Sequence, residues 1–326
     1  MKLAPRTVVS GAAAVVLTAS VVAGTPDPPA PAGRRPTGIP GAGLSIDKAH
    51  TYTMTGRIRP LLFWISRSNV GGGRIVWRRG EAERAAYELL IGSDPSRTPR
   101  SINRWGYIAE ESNGLSGALL GLMSASDERS LKDVEASLGR DGGRFKAIQA
   151  RMEPGSSAAT VSTVITSKPF TFRDVDLVID AAHRELDRAT IAPQKVPAGT
   201  RTGFLAGMAE LIHASVQANL TVGRQRMPAD GTTIPYVYGR AFHDLTLKSD
   251  ALVTNFEAGG RTYARAVRGR FETRSRASGE RYRFELVYGM DGPLSEVPIV
   301  IVYQPRWWLQ VELTLDDAEA ARTAER

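Results

Sequence analysis

The stretch Val297 to Leu315, VPIVIVYQPRWWLQVELTL, decides the fold. Apolar or aromatic residues occupy every odd position in it, whereas more than half of the even positions are polar. Because successive side chains of a β-strand point to opposite faces, this period of two predicts strand structure with one buried face, and it places Trp307 inward and Trp308 outward. Strands usually run about five or six residues, and proline lacks the N–H that a ladder needs. We therefore expect two strands, divided at Pro305.

The same alternation recurs through the chain. It marks residues 51–65, the series Ala85, Tyr87, Leu89 and Ile91, and the pair of segments 267–275 and 282–288. Between the last two, a four-residue loop from Arg276 to Gly279 would set opposite charges across the strands, which is favoured over like charges. Gly71, Gly72 and Gly73 precede another alternating segment, so a hairpin is expected there rather than a phosphate-binding loop.

Helical spacing appears in three places. Residues 126–139 form the first predicted helix, and Thr171 with Asp174 forms a capping box before the second. The third covers Gly203 to Leu220. The predicted fold class is α+β: a large curved antiparallel sheet, with closure into a barrel left open, and two or three amphipathic helices packed on one side or end.

Composition limits the chemistry. The chain has 326 residues, a net charge of +8 and no cysteine, so disulfides, thiolate catalysis and cysteine-ligated zinc are excluded. Of its 42 basic residues only seven are lysine. This excess of arginine suits contacts with anions, but most surface charge is simply solvated. Nucleic acid is not expected as a partner of an exported chain.

The N-terminus predicts export. Residues 1–24 combine a short basic start, an apolar run and small residues near Ala23 where a signal peptidase could cut. An uncleaved signal anchor is the alternative. Residues 25–49 are rich in proline and glycine and are predicted to form a linker. Residues 50–316 are predicted to form a single domain whose helical layer lies near 171–220. Residues 317–326 are predicted to form a charged tail. We expect a periplasmic or secreted protein without a transmembrane span in the mature chain.

One set of residues suggests a metal site. Asp180 and His183 fall on the polar face of the second predicted helix, while Glu210 and His213 fall on that of the third. If those faces met, the mixed oxygen and nitrogen set would suit zinc, manganese or iron. The alternative is that both faces are solvated, as in any amphipathic helix. A relaxed serine elbow at Ser116 lacks the strand-to-helix turn that such a motif requires.

The best binding signal is Trp308 beside Arg306. An outward tryptophan next to an arginine can stack on a ligand or partner, although a helix such as 203–220 could equally cover it. The first functional hypothesis is therefore a non-catalytic exported envelope protein whose sheet binds an apolar or anionic ligand or a partner. The alternative is a metal-dependent exported hydrolase that uses Asp180, His183, Glu210 and His213.

Overall fold

The computed structural model describes residues 38–59, 63–98, 101–114, 116–124, 143–186, 192–220, 231–307 and 309–316. Within these ranges fourteen antiparallel strands form one sheet. The strands are β1 Ser45–Ile58, β2 Ile65–Arg79, β3 Arg84–Ser93, β4 Trp105–Asn113, β5 Ser116–Ser124, β6 Arg144–Glu153, β7 Ser156–Ile165, β8 Ala192–Lys195, β9 Thr233–Tyr238, β10 Ala241–Ala258, β11 Arg261–Ser275, β12 Arg281–Gly289, β13 Pro298–Arg306 and β14 Leu309–Asp316. The helices are α1 Val175–Leu186 and α2 Phe204–Leu220.

The sheet is curled but does not close into a barrel. Its order runs from β8 through consecutive neighbours to β1, then from β14 through consecutive neighbours to β9. Strands β8 and β9 are its two edges, and an isolated backbone bridge between Arg201 and Tyr236 connects the segment after β8 to β9. Residues of β4–β7 and of β9–β12 share one buried cluster, so the two arms of the sheet face each other. The predicted class, a large curved antiparallel sheet, is therefore confirmed without closure into a barrel.

The predicted register of one hairpin is confirmed. Arg270 pairs with Glu285 and Glu272 pairs with Arg283 across β11 and β12, and the chain reverses through the loop from Arg276 to Gly279. The Nε of Arg283 donates a hydrogen bond of 2.9 Å to the carboxylate of Glu272. The preference for opposite charges across paired strands thus predicted the correct register.

The two helices lie on opposite faces of the sheet, not on one side as expected. In β4, Tyr107 and Ala109 pack with α1, whereas Ile108 packs with α2. Neighbouring β5 repeats this division, with Leu120 against α1 and Leu119 against α2. Because adjacent strand residues face opposite ways, these contacts place the two helices on different faces. A strand buried on both faces shows no alternation by itself, so the sequence could not place the two helices relative to each other.

The prediction that Trp307 faces inward is wrong. Arg306 pairs with Leu309, so β13 and β14 form a hairpin in which the chain reverses between these two residues, not at Pro305. A register shift between Tyr303 and Arg306 interrupts the alternation before the turn. The side chain of Trp307 is consequently 66% exposed. The period of two therefore stops at this register shift and does not continue through the reversal.

Other boundaries also differ from the predictions. The triplet Gly71 to Gly73 lies within β2 rather than in a hairpin turn. Strand β1 begins at Ser45, inside the segment 25–49 that the sequence analysis assigned to a linker. The capping box of Thr171 and Asp174 is confirmed at the turn that leads into α1. Residues 1–37, the predicted helix 126–139 and the tail 317–326 lie outside the described residues.

Candidate functional site

A cavity of about 660 Å³ lies on the concave face of the sheet, beside α2. One wall comes from β2 and β3, another comes from β12 and β13, and α2 supplies the third. Cavities of roughly 300–1,000 Å³ with mostly apolar walls are typical of sites for small molecules. Its main apolar lining residues are Ile75, Trp77, Tyr87, Leu89, Ile91, Phe204, Leu205, Met208, Ile212, Phe284, Leu286, Ile301 and Tyr303.

The walls use strand faces that the sequence had marked as apolar. Ala85, Tyr87, Leu89 and Ile91 all line the cavity from β3. Along this face only Ile91 is fully buried, whereas Ala86, Glu88 and Leu90 on the opposite face are all buried. Partial exposure of large apolar side chains on an inner face means that the protein does not fill the space in front of them. The concave face is therefore a cavity wall rather than a closed core.

Helix α2 is held in the concavity by a buried carboxylate. Glu110, from β4, is 1% exposed and accepts hydrogen bonds from the backbone N–H groups of Phe204 (2.7 Å) and Ala206 (3.0 Å). These N–H groups belong to the first turn of α2, which contains no acidic residue of its own. A carboxylate at this position satisfies donors that have no partner within the helix and complements the positive end of its dipole. Gly203 permits the contact, because a Cβ there would lie 2.2 Å from the carboxyl carbon of Glu110.

The protonation of Glu110 reflects two opposing effects. Burial raises the pKa of Glu110 to about 7, because a charged carboxylate loses its hydration inside the protein. Hydrogen bonds from the backbone of Phe204, Leu205 and Ala206 act in the opposite direction by favouring the ionised form. The group that fixes the start of α2 is thus poised to change charge near neutral pH.

The second half of α2 is fixed by a buried polar chain. Ser215 donates a hydrogen bond of 2.6 Å to the carboxylate of Asp250, and Asn219 donates one of 2.9 Å to the same oxygen. The hydroxyl of Tyr288 donates to that of Ser215 over 2.6 Å. These contacts join α2 to β10 and β12 at a buried site, where an unpaired polar group would be unfavourable. Both halves of the helix are therefore anchored to the sheet, and the cavity lies beside an anchored element.

Two polar contacts lie on the rim of the cavity. The Nδ1 of His213 is 2.6 Å from the Oε1 of Glu296, and Arg201 forms an ion pair of 3.0 Å with Glu210. Glu296 has a φ of +66°, a left-handed conformation that is uncommon for residues other than glycine. All four of these side chains line the cavity. The rim can thus contact a polar end of a bound molecule while the walls contact its apolar part.

The structure does not bring the four predicted metal ligands together. Asp180 and His183 lie on α1, which packs on one face of the sheet, whereas Glu210 and His213 lie on α2 on the other face. Glu210 and His213 instead pair with Arg201 and Glu296 at the cavity rim. In the described part of the chain, no group of three or more His, Asp or Glu residues is arranged to hold a metal ion.

Of the predicted ligand-binding pair Arg306 and Trp308, only Arg306 is among the described residues. Arg306 ends β13, and position 308 lies outside the described residues, so the interpretation of Trp308 stays a prediction. The neighbouring Trp307 is exposed instead. Several arginines on the β11–β12 hairpin pair with acids: Arg268 and Arg270 with Glu285, and Arg281 and Arg283 with Glu272. Such pairing weakens the case for a purely anionic ligand on that face.

Sequence reasoning missed the cavity and the role of Glu110. The signal for Glu110 was its position directly after the apolar run Trp105 to Ala109, on the same strand. Buried acids are rare unless they have partners, so an acid at that position indicates a specific hydrogen-bonding role. No comparable signal exists for the cavity, because a strand face that lines a cavity and one that packs a core have the same alternation.

No known protein family, curated protein or solved structure matches this chain in the comparisons. None of the described helices is both long enough and apolar enough to cross a lipid bilayer.

Proposed function

We propose that this protein is a non-catalytic binding protein for an apolar or amphipathic small molecule. The observation that carries the proposal is the cavity of about 660 Å³, whose walls are mainly partly exposed aliphatic and aromatic side chains. Removing such surfaces from water by binding an apolar molecule is favourable in proportion to the area covered. The polar pairs His213–Glu296 and Arg201–Glu210 at the rim suit a ligand with one polar end.

The aromatic residues support a defined binding surface. Phe204 of α2 makes edge-to-face contacts with Phe284 (5.8 Å between centroids) and with Tyr236 (5.9 Å). Phe284 in turn stacks on Phe271 at 5.5 Å. Aromatic packing of this kind fixes ring orientation, so Phe204 and Phe284 present constrained faces to the cavity. A wall preformed in this way loses little conformational entropy when a ligand binds.

The test uses an uncharged fluorescent probe, N-phenyl-1-naphthylamine, with the purified chain. We expect saturable binding accompanied by a rise in probe emission. In the variant Ala85→Phe, which adds a ring to the β3 wall, we expect binding to weaken about tenfold or more because the cavity volume falls. The matched control is Ala251→Phe, at an exposed alanine of β10 that is not among the cavity lining residues. Absence of saturable binding, or equal effects of the two variants, would refute the proposal.

We also propose that the chain is exported, on the basis of the apolar run and small residues of positions 8–24. Replacing Val15 and Val16 with aspartate interrupts this run with charges. We expect the variant to remain inside the cell. The measurement is the amount of chain in cellular and extracellular or periplasmic fractions, and unchanged export of the variant would contradict the proposal.

A further inference from the structure

A second surface lies away from the cavity, at the tips of two neighbouring hairpins. Strand β1 pairs with both β2 and β14, so that Ile58 lies opposite Ile65 on one side and Leu309 on the other. The β1–β2 and β13–β14 connections therefore emerge at the same end of the sheet. Strands β1 and β14 are direct neighbours, about 4.8 Å apart, so the two hairpins lie side by side and their tips are adjacent.

These tips carry exposed apolar side chains. Phe63 is 60% exposed and Trp307 is 66% exposed, and Trp64, Ile58 and Ile65 are also exposed. Among the described residues, every exposed Phe and Trp side chain belongs to this group. We call these five residues the hairpin-tip patch. Clustering of large exposed aromatics at one place is uncommon on soluble surfaces and typically marks an interaction site.

The sequence on either side of the patch is rich in arginine, and Arg57 next to Ile58 is paired with Glu312. Between Asp47 and Glu81 the sequence contains no acidic residue, and between Glu296 and Glu312 it again contains none. Arg59 lies over the ring of Trp64, with 6.0 Å between the guanidinium carbon and the ring centroid. Across the described residues, no ion pair is formed by Arg59 or by Arg67, both of which flank the patch in sequence. The charges next to the apolar tips are therefore available to an anionic partner.

We propose that the hairpin-tip patch docks onto the surface of an anionic lipid membrane. Tryptophan favours the interface between hydrocarbon and headgroups, where its ring contacts apolar groups and its indole N–H can meet water, and phenylalanine is common on the apolar side of segments that bind there. Arginines beside an interfacial apolar group gain further attraction from anionic headgroups. Two short hairpin tips can enter the headgroup region without a membrane-spanning segment.

The patch and the cavity are structurally independent. On β2 the cavity lining residues Trp77 and Arg79 lie near the C-terminal end, whereas Ile65 of the patch begins the strand. On β13 the lining residues are Pro298, Ile301 and Tyr303, and Trp307 lies four residues beyond the last of them, after the strand ends. Loss of membrane docking would therefore leave binding in the cavity intact, and the reverse also holds.

The experiment measures flotation of the purified full chain with vesicles of phosphatidylglycerol, compared with vesicles of phosphatidylcholine. We expect the chain to float with the anionic vesicles, and we expect binding to fall when salt rises from about 0.1 M to about 0.5 M, because screening shortens the reach of the arginines. In the triple variant F63A/W64A/W307A we expect the partition coefficient to drop about tenfold or more. The matched control is Ile165→Ala, which removes an equally exposed side chain (69%) on β7.

Folding of the variants is checked by circular dichroism and thermal unfolding, and the exposed positions predict unchanged transitions. Lack of flotation with anionic vesicles, or equal flotation of the triple variant and the parent chain, would overturn the proposal. So would equal binding to both vesicle types at every salt concentration. Self-association in sedimentation experiments that the triple variant abolishes, without any vesicle binding, would assign the patch to a second copy of the chain instead.

Discussion

The two helices cover opposite faces of one sheet, yet only one of them closes its face. Helix α1 packs Val178, Ala182 and Leu186 onto Trp105 and Phe145, and all five side chains are buried. Helix α2 packs equally buried residues on the concave face, but it also leaves a cavity of about 660 Å³ beside it. The difference shows that an amphipathic helix on a sheet serves either to complete a core or to form one wall of a binding site.

The residues that cap the start of each helix also differ between the two faces of the sheet. The turn before α1 is capped by its own Thr171 and Asp174, which lie in sequence beside the helix. The start of α2 is capped by Glu110, which lies 94 residues away from Phe204 on a strand. A local cap forms wherever the helix forms, whereas a cap from the sheet also fixes where the helix sits. The helix next to the cavity is thus positioned by the tertiary structure.

The largest expected effect on stability is seen by comparing one leucine on each helix. Leu186 of α1 is 2% exposed, whereas Leu205 of α2 is partly exposed and lines the cavity. We expect Leu186→Ala to lower the free energy of unfolding by about 4 kcal/mol, because a new void forms in a packed core. Leu205→Ala should lower it by about 1 kcal/mol, since it enlarges an existing cavity. Urea unfolding measures both, and equal losses would mean that the two faces are packed alike.

The next effect concerns the pH dependence of the α2 cap. Glu110 holds its proton more tightly in the folded chain than in the unfolded chain, so ionisation removes stability as pH rises from about 4.5 to about 7. His243, whose pKa burial lowers to about 4, has the opposite effect over a similar range. The informative quantity is therefore the difference in unfolding free energy between the parent chain and Glu110→Gln. We expect the free energy of unfolding of the parent chain, minus that of the variant, to fall by about 3 kcal/mol between pH 4.5 and pH 8.

The control for this measurement is the local cap of α1. Thr171→Ala should lower the free energy of unfolding by about 1 kcal/mol at each pH, because a threonine hydroxyl does not titrate in this range. A parent chain and Glu110→Gln variant with parallel pH profiles would show that Glu110 keeps an ordinary pKa. Titration of Glu110 would then play no part in holding α2.

The smallest expected effect lies at the rim of the cavity. The side chain of His213 is 60% exposed, and its contact with Glu296 is solvated. We expect His213→Ala to lower the free energy of unfolding by about 0.5 kcal/mol, because exposed ion pairs and hydrogen bonds contribute little. Thermal unfolding of the variant at neutral pH provides the measurement. A loss above about 2 kcal/mol would mean that the rim belongs to the packed structure and not to the opening of the cavity.

Several features followed from local sequence alone. The strands at β3 and β12, the register of the β11–β12 hairpin and the capping box before α1 each depend on residues close together in the chain, and each is confirmed. The prediction for Trp307 failed because the period was continued through a chain reversal. The placement of the two helices depends on segments far apart in the chain, and it leaves Asp180 and His183 on one face of the sheet and Glu210 and His213 on the other.

The sequence by itself determined that the chain forms strands with alternating faces, that helices accompany them, and that no cysteine chemistry is available. Only the tertiary structure decided which face each helix covers, that Glu110 reaches the first turn of α2, and that the concave face encloses a cavity. The physical reason is that side-chain periodicity is fixed by local backbone geometry, whereas curvature and enclosed volume depend on how far-apart strands approach one another.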